Sequence, residues 1–159
     1  MDAMVLPSRR LNKYPRLGEI NVDYNDYNEK TVLVTGGAGC VGSNLTWKLS
    51  EYAEKVIILD NLDSAYEWNI PEAENINFVK GDILDDEMLK RVFKEKPDYV
   101  FHLAAHFANQ NSVDNPELDL MVNGMGILKV LQYAHLVEVE RFVYSSSGCG
   151  VYGLDSKMP

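Results

Sequence analysis

The fold of this chain is decided by residues 31–42, which read Thr31-Val32-Leu33-Val34-Thr35-Gly36-Gly37-Ala38-Gly39-Cys40-Val41-Gly42. The first part is a β-branched, apolar run of the kind found in a buried parallel strand. Glycines then make a turn, and residues 43–53 predict a helix because Leu45 and Leu49 lie about one helical turn apart. The stretch therefore predicts a strand, a glycine-rich turn and a helix in succession.

The remaining chain continues this alternation of strands and helices. Apolar runs predict strands at 56–59, 76–79, 98–103 and 141–144, and helical patterns cover 86–94 and 117–138. Such a rhythm predicts an α/β fold, a doubly wound parallel sheet (Rossmann fold) with strand order 3-2-1-4-5. Residues 30–159 are assigned to this domain. Residues 1–29, which show no sustained pattern, are predicted to form an irregular N-terminal extension.

The amino-acid composition narrows the classes of molecule that the protein is expected to bind. The 159 residues include 15 Lys and Arg against 24 Asp and Glu, a net charge of −9, so we expect no binding to nucleic acid or to an anionic membrane. The apolar runs are far shorter than the roughly 20 residues of a membrane helix, and a cytoplasmic location is the default expectation. Cys40 and Cys149 lack metal-ligand spacing and are interpreted as reduced thiols, with no metal site expected.

The glycine-rich turn has the chemistry of a phosphate-binding loop. Gly36, Gly39 and Gly42 have the spacing G-x-x-G-x-x-G, which lets the chain turn sharply, approach a pyrophosphate and pack the helix against the sheet. Cys40 and Val41, within this turn, are further candidate cofactor contacts, since the negative pyrophosphate would meet the N–H groups and the dipole at the start of the following helix. No Gly-Lys-Ser/Thr follows, so an ATP-type loop is disfavoured. The pattern predicts dinucleotide binding.

An acidic residue ends the second predicted strand. Asp60, followed by Asn61, is placed where a carboxylate accepts hydrogen bonds from the adenosine ribose hydroxyls. The same charge would repel a 2′-phosphate, which favours NAD over NADP as the cofactor. Asp63 is a neighbouring acid, but only Asp60 directly follows the apolar run.

Further segments resemble the extended short-chain dehydrogenase/reductase family, in particular its nucleotide-sugar epimerase and dehydratase members of the UDP-glucose 4-epimerase type. The resemblance covers residues 30–153 and implies NAD contacts after the third strand, in an H-x-A-A element, in an N-x-x-G element and in a serine triplet followed by V-Y-G. The segments that carry it are Gly81-Asp82-Ile83, His102-Leu103-Ala104-Ala105, Asn123 to Gly126, Ser145-Ser146-Ser147 and Val151-Tyr152-Gly153.

The resemblance also implies a reaction. In this family a Ser, a Tyr and a Lys lie beside the nicotinamide while a sugar hydroxyl loses its proton and the carbon-bound hydride passes to NAD. Ser147 is the catalytic Ser candidate, with Ser146 second. The implied function is a nucleotide-sugar 4-epimerase acting through a keto intermediate, with UDP-linked sugars favoured as substrates. Helix 117–138 is the candidate contact of a homodimer.

Two departures from the family pattern leave alternatives open. Gly148 and Cys149 stand where sugar dehydratases carry acidic residues, which favours an epimerase over a dehydratase or decarboxylase of the same family. The family's Tyr-x-x-x-Lys is absent, since Tyr152 and Lys157 lack that spacing. We therefore expect the chain as given to bind NAD without turning over a sugar. A non-catalytic NAD(H)-binding module is the alternative from a different class.

Overall fold

The computed structural model describes residues 23–146, which form a five-stranded sheet with helices on both faces. Every neighbouring pair of strands is parallel, and the strand order is β3-β2-β1-β4-β5. The strands are β1 Thr31–Thr35, β2 Lys55–Asp60, β3 Ile76–Lys80, β4 Tyr99–His102 and β5 Arg141–Tyr144. The predicted doubly wound sheet and its strand order are confirmed.

The α-helices lie in the connections between these strands, except that β2 and β3 are joined by a connection with only a 3-10 turn. They are α1 Cys40–Leu49, α2 Asp86–Phe93, α3 Asn109–Asp114, α4 Pro116–Leu120 and α5 Ile127–Leu136. A π-helical segment, Met121–Gly126, joins α4 to α5, and two short 3-10 turns lie at Tyr24–Tyr27 and Glu67–Asn69. None of the helices formed between residues 23 and 146 has the length and apolar character needed to span a bilayer.

Two apolar clusters, one on each face of the sheet, form the core. Successive residues of a strand point to opposite faces, so Val32 and Val34 pack on the face of α1 while Leu33 packs on the face of α2 and α5. All three side chains are fully buried. This burial on both faces explains why the central strands read as continuous apolar runs rather than as alternating ones.

The helix predicted over 117–138 is not one regular helix. The chain is helical from Pro116 to Leu136, but its middle widens into the π-helical segment, which contains Gly124 and Gly126. Glycine is a poor helix former, and π-helical turns inside α-helices are rare and frequently lie at functional sites. The helix ends before Glu138, whose positive φ of 58° lies outside the helical range.

The predicted first helix also has different limits. It was expected over residues 43–53, but α1 begins at Cys40 and ends at Leu49. Because glycine is a poor helix former, Gly42 makes this start hard to predict from helix propensity. Gly39 acts as the N-cap in an extended conformation. The last predicted turn is irregular, and Ala53 is buried against the sheet from outside the helix.

Part of the predicted N-terminal extension, residues 23–29, is described and packs on the domain. Asp23 caps a 3-10 turn by accepting a hydrogen bond from the backbone N–H of Asn25 at 3.0 Å. The ring of Tyr24 stacks on Tyr52 at 4.5 Å. Residues 1–22 lie outside the described residues.

Candidate functional site

The glycine-rich loop leaves β1 at the point where the sheet changes direction. β1 lies between β2 and β4, and the loops that follow β1 and β4 meet at their carboxyl ends. Gly36 has a φ of +71°, and a Cβ there would lie 2.6 Å from the backbone nitrogen of Ala104. Only glycine allows both this conformation and this approach of two backbones. In open α/β sheets such a switch point is where ligands bind.

The N-terminus of α1 is built from the second half of the loop. The first intrahelical hydrogen bond runs from Ser43 N to Gly39 O at 2.8 Å, so the N–H groups of Cys40, Val41 and Gly42 precede the helical ladder. A Cβ on Gly42 would collide with the carbonyl oxygen of Gly36. Glycine at this position therefore keeps the helix close to the loop and its free donors available to an anion.

Asp60 lies under the loop at the end of β2. It is only 8% exposed, and its carboxylate accepts hydrogen bonds from Ala38 N at 3.0 Å and from Leu62 N at 2.8 Å. Each oxygen can accept a further bond. The side chain thus braces the glycine-rich loop and retains acceptor capacity at the wall of the adjoining cleft.

Asn61 and Asp82 form a bridge across two strand ends. Asn61 Nδ2 donates to Asp82 Oδ2 at 2.9 Å, and Asp82 Oδ1 accepts from Leu84 N at 2.8 Å. Both residues line the cleft. The two loops that follow β2 and β3 are therefore held in a fixed relation at the end of the cleft where the adenine contact was predicted.

Most of the predicted cofactor contacts line one open cleft. Nine predicted residues line it: Gly36, Gly39, Asp60, Asn61, Asp82, Ile83, Leu103, Ala104 and Ala105. Five lining residues were not predicted: Leu59, Ser64, Ala65, Gly81 and Val122. Leu59 and Gly81 directly adjoin predicted residues. Ser64 and Ala65 belong to an irregular loop whose sequence carries no periodicity to place them.

The charged side chains that line the cleft, among the residues that the structure describes, are all acidic. Asp60 and Asp82 contribute carboxylates to its wall, and the lining drawn from residues 23–146 contains no Lys or Arg. The negative charge of a bound pyrophosphate would therefore be met by backbone N–H groups and the helix dipole instead of by a cationic side chain. A ribose that carries an additional phosphate beside Asp60 would be repelled.

The H-x-A-A element contains a buried histidine. His102 is 2% exposed, and its Nδ1 lies 2.7 Å from Thr35 Oγ1. The same hydroxyl oxygen accepts from Ala104 N at 3.4 Å, so Thr35 joins the imidazole to the backbone that follows β4. Burial lowers the pKa of His102 from 6.5 to about 4, so the imidazole is neutral near pH 7. Through its contact with Thr35, His102 helps to fix the loop that follows β4.

Asn123 holds a loop instead of lining the cleft. Its Oδ1 accepts from His106 N at 2.9 Å, and its Nδ2 donates to His106 O at 3.0 Å and to Asp119 Oδ1 at 2.8 Å. The structure does not bring this predicted cofactor contact into the cleft, although the adjacent Val122 lines it. The side chain fixes the chain just beyond Ala105.

The serine element is described only at its start. Ser145 follows β5, is exposed, and donates its backbone N–H to His102 O at 3.3 Å. It lies at the carboxyl edge of the sheet but does not line the cleft. Ser147, Gly148, Cys149 and residues 151–153 lie outside the described residues.

Sheet, loop and cleft define an α/β protein of the Rossmann type. Comparisons with known proteins identify its family. Residues 32–159 match the model of the NAD dependent epimerase/dehydratase family. UDP-glucose 4-epimerase from Mycolicibacterium smegmatis is 39% identical over 130 residues, which cover 80% of this chain and 42% of that protein. The chain belongs to the NAD dependent epimerase/dehydratase family, and the sequence-based resemblance is confirmed.

Solved structures agree with this assignment. An epimerase from Methanothermobacter thermautotrophicus is 80% identical with a TM-score of 0.82, covering 86% of this chain and 40% of that one. Thermus thermophilus UDP-glucose 4-epimerase in complex with NAD is 34% identical with a TM-score of 0.73, covering 81% and 42%. The chain therefore spans about two-fifths of the length of these relatives. NAD, the predicted cofactor, is the cofactor of the family.

Gly42→Ala tests the cradle that the loop forms. The added Cβ meets the Gly36 oxygen and lies 2.7 Å from Gly37 Cα, so the helix must move away. We expect NAD binding, measured by calorimetry, to be abolished. Gly124→Ala is the control, because its Cβ meets only Leu120 Cδ1 at 3.2 Å, a side-chain atom that can shift. An NAD affinity of Gly42→Ala equal to that of the wild type would contradict this account.

His102 predicts a loss of stability in acid. Its folded pKa of about 4 lies below the unfolded value of 6.5, so its contribution is complete above pH 6.5 and is lost as the pH falls toward 4. The shift corresponds to about 3 kcal/mol. Denaturant unfolding between pH 4 and 7.5 should show a flatter pH dependence for His102→Gln. His135→Gln, on the exposed face of α5, is the control. Equal slopes in wild type and His102→Gln would refute the assignment.

Proposed function

We propose that this chain is the NAD-binding part of a nucleotide-sugar 4-epimerase. The observation that carries the proposal is the cleft at the switch point, where the glycine-rich loop, Asp60 and the Asn61–Asp82 bridge come together. Two of the related proteins named above are UDP-glucose 4-epimerases, which supports a UDP-linked sugar as substrate. The cytoplasmic location stays a prediction.

The residues of the cleft fit the three parts of NAD. Asp60 retains acceptor sites for the adenosine ribose, the N–H groups at the start of α1 face the pyrophosphate, and Ala104 and Ala105 offer a wall without bulky side chains. The chemistry that bound NAD supplies is reversible hydride acceptance from the sugar carbon. Ser147 remains our proposal for the Ser that hydrogen-bonds the reacting oxygen. We infer that these 159 residues bind NAD without turnover.

Asp60→Ala tests the proposal at its main polar contact. The change removes the ribose acceptor, the charge that opposes a 2′-phosphate, and the partner of two backbone N–H groups. We expect NAD affinity to fall at least about tenfold, as the loss of one or more hydrogen bonds to a charged group predicts, and NADP to be discriminated against less. Calorimetric titration of both cofactors measures this.

The control is Asp63→Ala, a neighbouring exposed acid that does not line the cleft. It should leave both affinities unchanged. An NAD-to-NADP preference unaltered by Asp60→Ala would remove the proposed role of Asp60. A wild-type chain that binds neither cofactor would overturn the proposed function. Conversion of UDP-glucose by the chain alone would contradict the inference that it does not turn over.

We also propose that the protein forms a homodimer through α4, the π-helical segment and α5. These carry exposed apolar side chains at helical spacing, with Leu118 46%, Leu128 46% and Leu131 41% exposed. Apolar patches of this kind mark association surfaces. Sedimentation of the chain should give a dimer, and Leu128→Lys should give a monomer. Glu74→Lys, which adds the same positive end group at an exposed position outside these helices, is the control, and a monomeric wild type would exclude this dimer.

A further inference from the structure

We propose that Asn69 is a positioning residue for the glycine-rich loop, acting through the carbonyl group of Ala38. The inference rests on the proposed function, because it assumes that NAD binds in the cleft. Asn69 belongs to none of the segments that carry the family resemblance. It lies in the irregular loop between β2 and β3, in the 3-10 turn Glu67–Asn69.

Ala38 is the midpoint of the glycine-rich loop and is held from two sides. Asn69 Nδ2 donates to Ala38 O at 3.0 Å, and Asp60 Oδ2 accepts from Ala38 N at 3.0 Å. Ala38 is fully buried. Both backbone polar groups of this residue are therefore bonded to side chains outside the loop, one from the end of β2 and one from the connection that follows it.

The position of Asn69 is itself fixed by contacts of its backbone. Its backbone N–H donates to Tyr66 O at 3.0 Å, and its backbone carbonyl accepts from Trp47 Nε1 of α1 at 3.2 Å. The rings of Tyr66 and Trp68 stack across the turn with centroids 4.2 Å apart and planes 8° apart. The turn is thus tied both to itself and to the helix whose N-terminus the loop creates.

A fixed carbonyl at Ala38 matters because of what a peptide flip would do. The oxygen is the negative end of the peptide dipole, and the N–H on the other side of that peptide, from Gly39, donates to Gly36 O at 3.2 Å. If this peptide rotated, its carbonyl oxygen would point toward the side of the loop where N–H donors are needed. The hydrogen bond from Gly39 N to Gly36 O would then break. Asn69 therefore stabilises the arrangement of the loop that a pyrophosphate requires.

The chain contains a matched comparison. Asn75 lies in the same connection and also uses its side-chain amide to hold backbone, with Nδ2 donating to Ser50 O at 3.1 Å and to Ala53 O at 2.9 Å. Those carbonyls are at the C-terminal end of α1, away from the cleft. Asn75→Ala therefore removes the same kind of contact without touching the glycine-rich loop.

The test compares NAD with adenosine, which has no phosphate, as ligands of wild type, Asn69→Ala and Asn75→Ala. We expect Asn69→Ala to bind NAD about five- to tenfold more weakly, as loss of one hydrogen bond predicts, and adenosine within twofold of wild type. Asn75→Ala should lower the thermal midpoint and leave both affinities unchanged. Calorimetry for NAD and NMR titration for adenosine give the affinities.

Each outcome is decisive. A wild type that does not bind NAD overturns the proposed function and this inference together. A wild type that binds NAD while Asn69→Ala binds it equally well, or loses NAD and adenosine affinity to the same degree, overturns this inference alone. Should Asn69→Ala not fold, Trp47→Phe keeps an aromatic side chain but removes the indole N–H that donates to the backbone carbonyl of Asn69. It should weaken NAD binding selectively and to a smaller extent, and unchanged NAD binding would overturn the inference.

Discussion

The contact between the backbones of Gly36 and Ala104 is the constraint on which the rest of the structure depends. It brings the carboxyl ends of β1 and β4 together where the strand order reverses, and the cleft opens beside it. No side chain at position 36 can be accommodated between the two backbone segments. The need for glycine at position 36 follows from this one approach.

Around this contact the site consists mainly of backbone that side chains hold in place. Asp60 braces the glycine-rich loop, His102 with Thr35 fixes the loop after β4, and Asn123 clamps the chain at His106. Each side chain forms hydrogen bonds to main-chain groups or to another fixed side chain. Because the donors and walls of the cleft are already in place, the conformational entropy lost when a ligand binds is small.

The sequence predicts the sheet well because burial on both faces leaves a plain signal. Val32 to Val34 and Val56 to Leu59 are continuous apolar runs, and the glycine spacing fixes what lies between the first strand and its helix. The strand order follows from the handedness of crossovers. Nine lining residues of the cleft follow from motifs attached to strand ends, where position in space is tied to position in the chain.

Other parts depend on contacts between distant residues and could not be predicted. The π-helical segment arises where Asn123 turns to the His106 backbone, and Ser64, Ala65 and Asn69 come to the site through a connection without periodicity. The predicted contact of Asn123 with the cofactor stays a prediction; in the folded chain its amide bonds the backbone of His106 and the carboxylate of Asp119. Its amide can serve a ligand or a peptide equally, and only the folded chain decides.

The bond between Ala104 N and Thr35 Oγ1 joins residues separated by 69 positions along the chain. In folding terms this is a contact of high sequence separation, and its loop-closure entropy must be met before the contact contributes any stability. The cleft therefore cannot exist in a chain that has formed only β1, α1 and β2. The cleft exists only once the central sheet is complete, so a ligand that binds in the cleft stabilises the sheet as a whole by mass action.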